Sequence, residues 1–195
     1  MSFAKIFAII KNNWLTFLLC GILVLLLVSS RAKSTFLQVL SSTGLFNADI
    51  NKNALNKSNS LAVEFDYTDK QGNISNTAAL KGKVVFINLW ATWCPPCVAE
   101  MPSLEQLYQT VGKDNRVVFL FLNEDDNSSR GFSYMEEKGF TLPVYKTKGK
   151  IPGNVFTGTL PTTVVLDKTG RIVFIHEGMG RYDTDQFVRQ LKELF

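Results

Sequence analysis

Two cysteines three positions apart, Cys94 and Cys97, lie in the run Trp90-Ala91-Thr92-Trp93-Cys94-Pro95-Pro96-Cys97. That spacing suits a reversible disulfide. The preceding apolar run reads as a strand and a helix is expected to open at Pro95. Cys94 then stands at a helix entrance, where unpaired N–H groups and the helix dipole favour an anion. A thiolate is such an anion, so the Cys94 thiol is expected to titrate below the free value of about 8.5. Cys97, one turn deeper, is expected to be more buried and less acidic. It can then attack a mixed disulfide formed on Cys94 and release the partner reduced. Pro95 and Pro96 carry no N–H, which leaves chiefly the Cys97 N–H to donate to the Cys94 sulfur. A hydrogen bond to a charged group is worth about 1.5–3 kcal/mol and one pKa unit about 1.4 kcal/mol, so a moderate depression is expected. The alternatives are a metal-binding pair and an inert one. Structural zinc takes four ligands, and the body offers only Cys94, Cys97 and His176. Redox chemistry is therefore the favoured reading, with no metal and no cofactor expected.

The elements that must hold this pair follow from hydrophobic patterning. Leu61, Val63, Phe65 and Tyr67 alternate with polar or small residues, which predicts a half-buried strand. Asp69 to Gly72 reads as a turn, and Asn73 to Asn76 as a returning strand. Val84 to Trp90 is nearly unbroken apolar sequence, as for a central parallel strand covered on both faces. A helix is predicted from Pro95 to about Val111, kinked at Pro102 by a lost backbone bond. Val117 to Leu122 reads as a second buried strand, and Ser128 to Lys138 as a helix ended by Gly139. Thr162 to Leu166 and Arg171 to His176 form a predicted antiparallel hairpin, and Asp183 to Leu194 a closing amphipathic helix. The order implies an α/β sheet covered on both sides. Trp90 is assigned to the core, His176 to a strand with no catalytic part, and Glu124-Asp125-Asp126 to a solvated loop, with a border of the cysteine site as the alternative. Lys146, Lys148 and Lys150 are assigned to an exposed loop, with a docking patch as the alternative.

The amino-terminal region differs from the rest. The first 48 residues contain no acidic residue, and four of the 21 basic ones, Lys5, Lys11, Arg31 and Lys33, lie there. The remaining 17 basic residues balance all 17 acidic ones, so the formal charge of +4 belongs to the amino terminus. Such a neutral, mixed body argues against nucleic acid binding, which needs a clustered basic face. With 46% hydrophobic and 19% charged residues, a disordered chain is also excluded. Residues 12–30 are free of charge and mostly apolar, and as a helix would span about 28 Å. They read as a transmembrane anchor behind a short segment 1–11. The alternative is a signal peptide cleaved near Val28-Ser29-Ser30, giving a secreted protein. Cys20 is then a small apolar residue of that helix. Residues 31–60, rich in Ser, Asn and Lys, read as a linker to a body at 61–195, and within it Phe36, Leu37, Val39, Leu40, Leu45 and Phe46 form an apolar cluster near Gly44 that suits a short helix resting on body or bilayer.

Residues Gly82 to Cys97, followed by Glu100-Met101-Pro102-Ser103-Leu104, resemble the thioredoxin superfamily. So does a second stretch, Leu160-Pro161-Thr162-Thr163-Val164-Val165-Leu166-Asp167 with Gly170 to Val173. The similarity, covering roughly Leu61 to Phe195, is greatest to membrane-anchored TlpA/ResA-type thiol–disulfide oxidoreductases. The resemblance implies a thioredoxin-like fold: a central mixed sheet flanked by helices, with an extra N-terminal β-hairpin, behind the membrane helix and facing an extracytoplasmic (periplasmic) space. It implies Cys94 as attacking and Cys97 as resolving thiol, and Pro161 as a cis-proline beside them. The backbone near Leu160 can then pair with an extended substrate segment. Trp93, Pro95 and Pro96 border that substrate surface, with Trp93 sheltering the Cys94 sulfur. Glu100 matches an acidic position of the family and could accept the Cys97 proton; a surface glutamate is the alternative. Protein disulfides are the implied substrates and a membrane protein the implied electron donor. Apocytochrome c thiols are one substrate class of similar proteins that nothing in the sequence selects. Net oxidation or isomerisation, thiol peroxidase activity and a non-enzymatic tethered binding module are the rival functions. Residues 34–60 fall outside the shared pattern.

Overall fold

A computed structural model describes residues 13–50 and 62–195. The segment 1–11 and residues 51–60 of the linker lie outside the described residues, as does Leu61. The described residues open with α1 (Trp14–Val28) and α2 (Ser30–Ser41). Ser29 separates them because it caps α2: its side-chain oxygen accepts the Ala32 N–H at 3.2 Å. The 15 residues of α1 span about 22 Å, less than a bilayer core of about 30 Å. No helix among the described residues is long and apolar enough to cross a membrane.

Seven strands form one mixed sheet in the order β2-β1-β5-β4-β3-β6-β7. They are β1 (Asp66–Thr68), β2 (Ile74–Asn76), β3 (Val84–Trp90), β4 (Val117–Asn123), β5 (Val144–Lys148), β6 (Thr162–Leu166) and β7 (Ile172–Glu177). β3, β4 and β5 run parallel, joined by crossovers through α3 (Pro95–Val111) and α4 (Ser128–Lys138). β1 and β2 form the N-terminal hairpin, and β6 and β7 the closing one. The chain ends in α5 (Asp185–Lys192).

β3 is buried at all seven positions, and its alternation feeds two cores. Val84, Phe86 and Trp90 face a cluster with Met101, Leu104 and Leu107 of α3, Met135 of α4, and Phe187 and Leu191 of α5. Val85, Ile87 and Leu89 face a second cluster with Val63, Phe65, Ile151 and Val155. Long helices thus pack on one face; extended chain and short turns cover the other. Gly139 ends α4 in the left-handed conformation (φ 68°), which only glycine adopts without strain. α3 runs on through Pro102 without a break.

Two expectations are revised. The described part of the 31–60 linker does not stand off the body. α2 lies against α3, Ala48, Asp49 and Ile50 are buried, and Asn47 bridges to Arg181. The buried Asp49 carboxylate accepts from Gln186 (2.9 Å) and Gln190 (2.8 Å) of α5, which holds the segment down. Lys146 and Lys148 do not sit in a loop: they belong to β5, paired with β1, and only Lys150 lies beyond it.

Candidate active site

β3 delivers the chain to the sheet's edge, where Cys94 becomes the N-cap of α3 with extended dihedrals (φ −94°, ψ 102°). The Cys97 N–H donates to Cys94 Sγ at 3.3 Å, while Pro95 and Pro96 occupy the first two helical positions and offer none. The two sulfurs are bonded at 2.13 Å, with Cα atoms 5.3 Å apart. Cys94 keeps 4% of its surface and Cys97 none, so an approaching sulfur meets Cys94 first. Trp93 stands beside the pair, 61% exposed, whereas Trp90 is buried in the core. The Leu160–Pro161 peptide bond is cis. Leu89 of β3 pairs with Thr162 of β6, so Pro161 falls level with Trp90, at the strand end that leads into the cysteines. The Pro161 carbonyl accepts from Gly178 N, and none of the described residues hydrogen-bonds the Leu160 backbone.

Glu100 is not a surface residue. It is 1% exposed and lies one turn after Cys97 on α3. One carboxylate oxygen accepts from Asn88 Nδ2 (2.8 Å) on β3, the other from Gly180 N (3.0 Å). Asn88 Nδ2 also donates to Thr163 Oγ1 on β6 (3.0 Å), so the cluster ties α3 to both central strands. Burial pushes the Glu100 carboxyl from 4.5 up to about 8; the bonds from Gly180 and Asn88 oppose that rise without cancelling it. Burial, and then the Glu100 charge, push the neighbouring Tyr182 phenol well above its ordinary value. A Cβ at Gly180 would collide with the ring and hydroxyl of the buried Tyr182.

The acidic run after β4 is not uniformly solvated. Asp125 is 1% exposed and turns back under the cysteine loop. It accepts from Thr92 N (3.2 Å), Thr92 Oγ1 (2.9 Å) and Asn123 Nδ2 (2.8 Å). Lys146 Nζ closes the same corner by donating to the Asp125 carbonyl (2.6 Å). Asn88 and Gly180 went unmarked in the sequence, where Asp125 stands only as one member of the acidic run. A lone amide inside the apolar run Val84–Trp90 was the available signal for Asn88. His176 stacks on Phe174 within β7 and contacts the Met179 carbonyl; it lies level with Thr163 and Asn88, two strands across from β3. Among the described residues no cluster of three or more His, Cys, Asp or Glu is placed to hold a metal ion.

A thioredoxin-like mixed sheet that presents a bonded cysteine pair at a helix N-terminus, beside a cis-proline, defines a thiol–disulfide oxidoreductase. Residues 56–188 match the Redoxin family. The chain is 34% identical over 185 residues to thiol-disulfide oxidoreductase ResA of Bacillus thuringiensis (strain Al Hakam), spanning 94% of this chain and 98% of that one. ResA of Halalkalibacterium halodurans is 34% identical over 137 residues, 68% of this chain and 74% of that one. Among solved structures, a thioredoxin-family thiol:disulfide interchange protein from Chlorobium tepidum TLS superposes with a TM-score of 0.58 at 26% identity. That match covers 70% of this chain and 99% of the other. The chain belongs to the ResA-type thiol–disulfide oxidoreductases of the Redoxin family.

Proposed function

We propose that this protein is a membrane-anchored, extracytoplasmic protein-disulfide reductase. The observation that carries the reading is the cysteine pair itself: a partly accessible Cys94 capped by the Cys97 N–H, and a sealed Cys97 within bonding distance. In the reduced protein, the Cys94 thiolate attacks one sulfur of a substrate disulfide. A mixed disulfide forms, and the other substrate sulfur leaves as a thiolate and takes up a proton. The Glu100 carboxylate accepts the Cys97 proton. Cys97 Sγ then attacks Cys94 Sγ and expels the second substrate thiol. Two electrons have passed to the substrate, and the pair is left bonded. A membrane dithiol protein must supply two electrons to reopen it.

Substrate alignment falls to Leu160 and Pro161. The unengaged Leu160 backbone suits strand addition by an extended chain, with Trp93, Pro95 and Pro96 forming the opposite border. The uncharged stretch 12–30 supports the anchor, and Trp14, Leu15, Leu18, Leu19 and Ile22 of α1 are exposed apolar residues that suit a bilayer. The test is to express Cys97→Ala in intact cells and recover disulfide-linked partners. This variant has no resolving thiol, so envelope proteins are expected to stay attached to Cys94. Recovery of none, with the protein folded and Cys94 reactive, refutes the reading.

A further inference from the structure

An open cleft of about 420 Å³ lies between α2, the start of α3 and α4. Thr92, Trp93 and Pro95, the residues that bracket Cys94, line its inner end. Thr35 and Gln38 of α2 form one wall, and Tyr134 of α4 belongs to the other. We propose that this cleft is a substrate subsite that receives the extended polypeptide flank of the disulfide under reduction, which makes α2 a selectivity element. The inference rests on the reading above that the substrates are proteins.

Topology supports this occupant. Pro161 borders β3 on the β6 side, whereas β4 borders it on the other, with Asn123 level with Trp90. α4 follows β4, so Tyr134 and the cleft lie on the side of Cys94 away from Pro161. A chain joined to Cys94 with one flank along Leu160 therefore runs its other flank past Trp93 toward the cleft. Trp93 is 61% exposed at that exit. The volume falls in the range of roughly 300–1,000 Å³ found for ligand sites, room for a few side chains and not for a folded surface. The lining mixes rings with hydroxyls and charges of both signs, Arg31 and Lys138 against Glu137. An acyl chain would take water from the Arg31, Glu137 and Lys138 charges without replacing it, and an anion would face Glu137. An unfolded peptide segment, with both apolar and polar groups, matches both.

The experiment uses the reduced full-length chain with two oxidants: oxidised glutathione, and a peptide disulfide flanked by several residues on each side. The quantity read is the ratio of the second-order rate constant for oxidation of the protein by the peptide to that by glutathione, in the native protein and in Thr35→Trp and Gln38→Trp. Filling the cleft from α2 is expected to lower this ratio about tenfold, chiefly by slowing the reaction with the peptide. Trimming the peptide flanks is expected to lower it in the native protein as well. Ratios unchanged in both variants, with the native protein preferring the peptide, overturn the cleft and leave the protein-reductase reading standing. A native protein with no preference for the peptide overturns both. The Thr35→Trp emission, taken as its difference from the native protein, in which Trp14, Trp90 and Trp93 also emit, supplies a second readout. A blue shift with anionic lipid vesicles but not with peptide assigns the cleft to the bilayer, and one that follows protein concentration assigns it to a second copy. Either result overturns the proposal.

Discussion

Replacing Glu100 with glutamine tests the proton step. In the folded protein the carboxyl titrates near 8, so at pH 7 only about a tenth of it is ionised and able to accept a proton. Resolution of the mixed disulfide by Cys97 should then accelerate about tenfold per pH unit up to roughly 8 and level off above it. Glutamine cannot accept the proton. It can keep the acceptor toward Gly180 N and turn its amide toward Asn88. The Asn88 Oδ1 atom is buried and without a hydrogen-bond partner among the described residues, so rotation of that amide can receive the new donor. Glu100→Gln is therefore expected to fold. Its mixed-disulfide resolution rate should fall about 10²-fold or more at pH 8 and lose the inflection. Stopped-flow mixing of the reduced protein with a peptide disulfide from pH 5.5 to 9.5, following release of the second peptide thiol, reads both. A variant that retains the wild-type profile to within about twofold removes Glu100 from the mechanism.

The same substitution has a stability signature of known sign. The folded-state value lies above the unfolded one, so between about 4.5 and 8 the native state holds a proton that the unfolded state releases. Stability falls across that window as pH rises, by about 1.4 kcal/mol per unit and roughly 5 kcal/mol in all, and Glu100 contributes no slope outside it. Urea unfolding of the wild type should therefore weaken from pH 5 to 8 relative to Glu100→Gln, which lacks the slope. Activity and stability thus respond to pH in opposite directions through a single carboxyl.

Two further substitutions probe the supports of the site. Asp125→Ala strands the Thr92 N–H and the Asn123 amide under the cysteine loop. It is expected to cost about 3 kcal/mol and lower the melting temperature by roughly 6–12 °C, measured by calorimetry, with less than half that loss in Asp125→Asn. Asp49→Ala removes the acceptor for Gln186 and Gln190 and is expected to cost about 2 kcal/mol in urea unfolding. It should also speed hydrogen exchange at Ile50 N, which donates to Gln190 Oε1 at 3.0 Å. Unchanged exchange there would mean that the segment is held by other contacts.

What the sequence disclosed, and what it hid, divides along the range of the interactions. β3 and α3 were legible because their determinants are local: seven consecutive buried positions, then a cysteine cap and two prolines at a helix start. The strand expected from Leu61 shows its alternation in buried Val63, Phe65 and Tyr67, yet the ladder begins only at Asp66, where β5 first supplies a partner. β5 itself was hidden because Lys146 and Lys148 obscure a strand whose pairing partners lie elsewhere in the chain.

The site divides in the same way. Cys94 and Cys97 announce themselves through spacing alone. The groups that build the surroundings act across distance: Asn88 reaches Glu100 over 12 positions, Asp125 reaches Thr92 over 33, and Gly180 reaches Glu100 over 80. Gly180 also couples the carboxyl to the amino-terminal segment. The next residue, Arg181, donates its N–H to the Phe46 carbonyl and accepts from Ala48 N. One short loop thus presents an N–H to the buried carboxyl from one residue and grips residues 46–48 with the next. A disturbance that lifts the amino-terminal segment off the body therefore pulls on the donor that lowers the Glu100 proton affinity. The carboxyl should then hold its proton to still higher pH, and the inflection in Cys97 resolution should move upward with it.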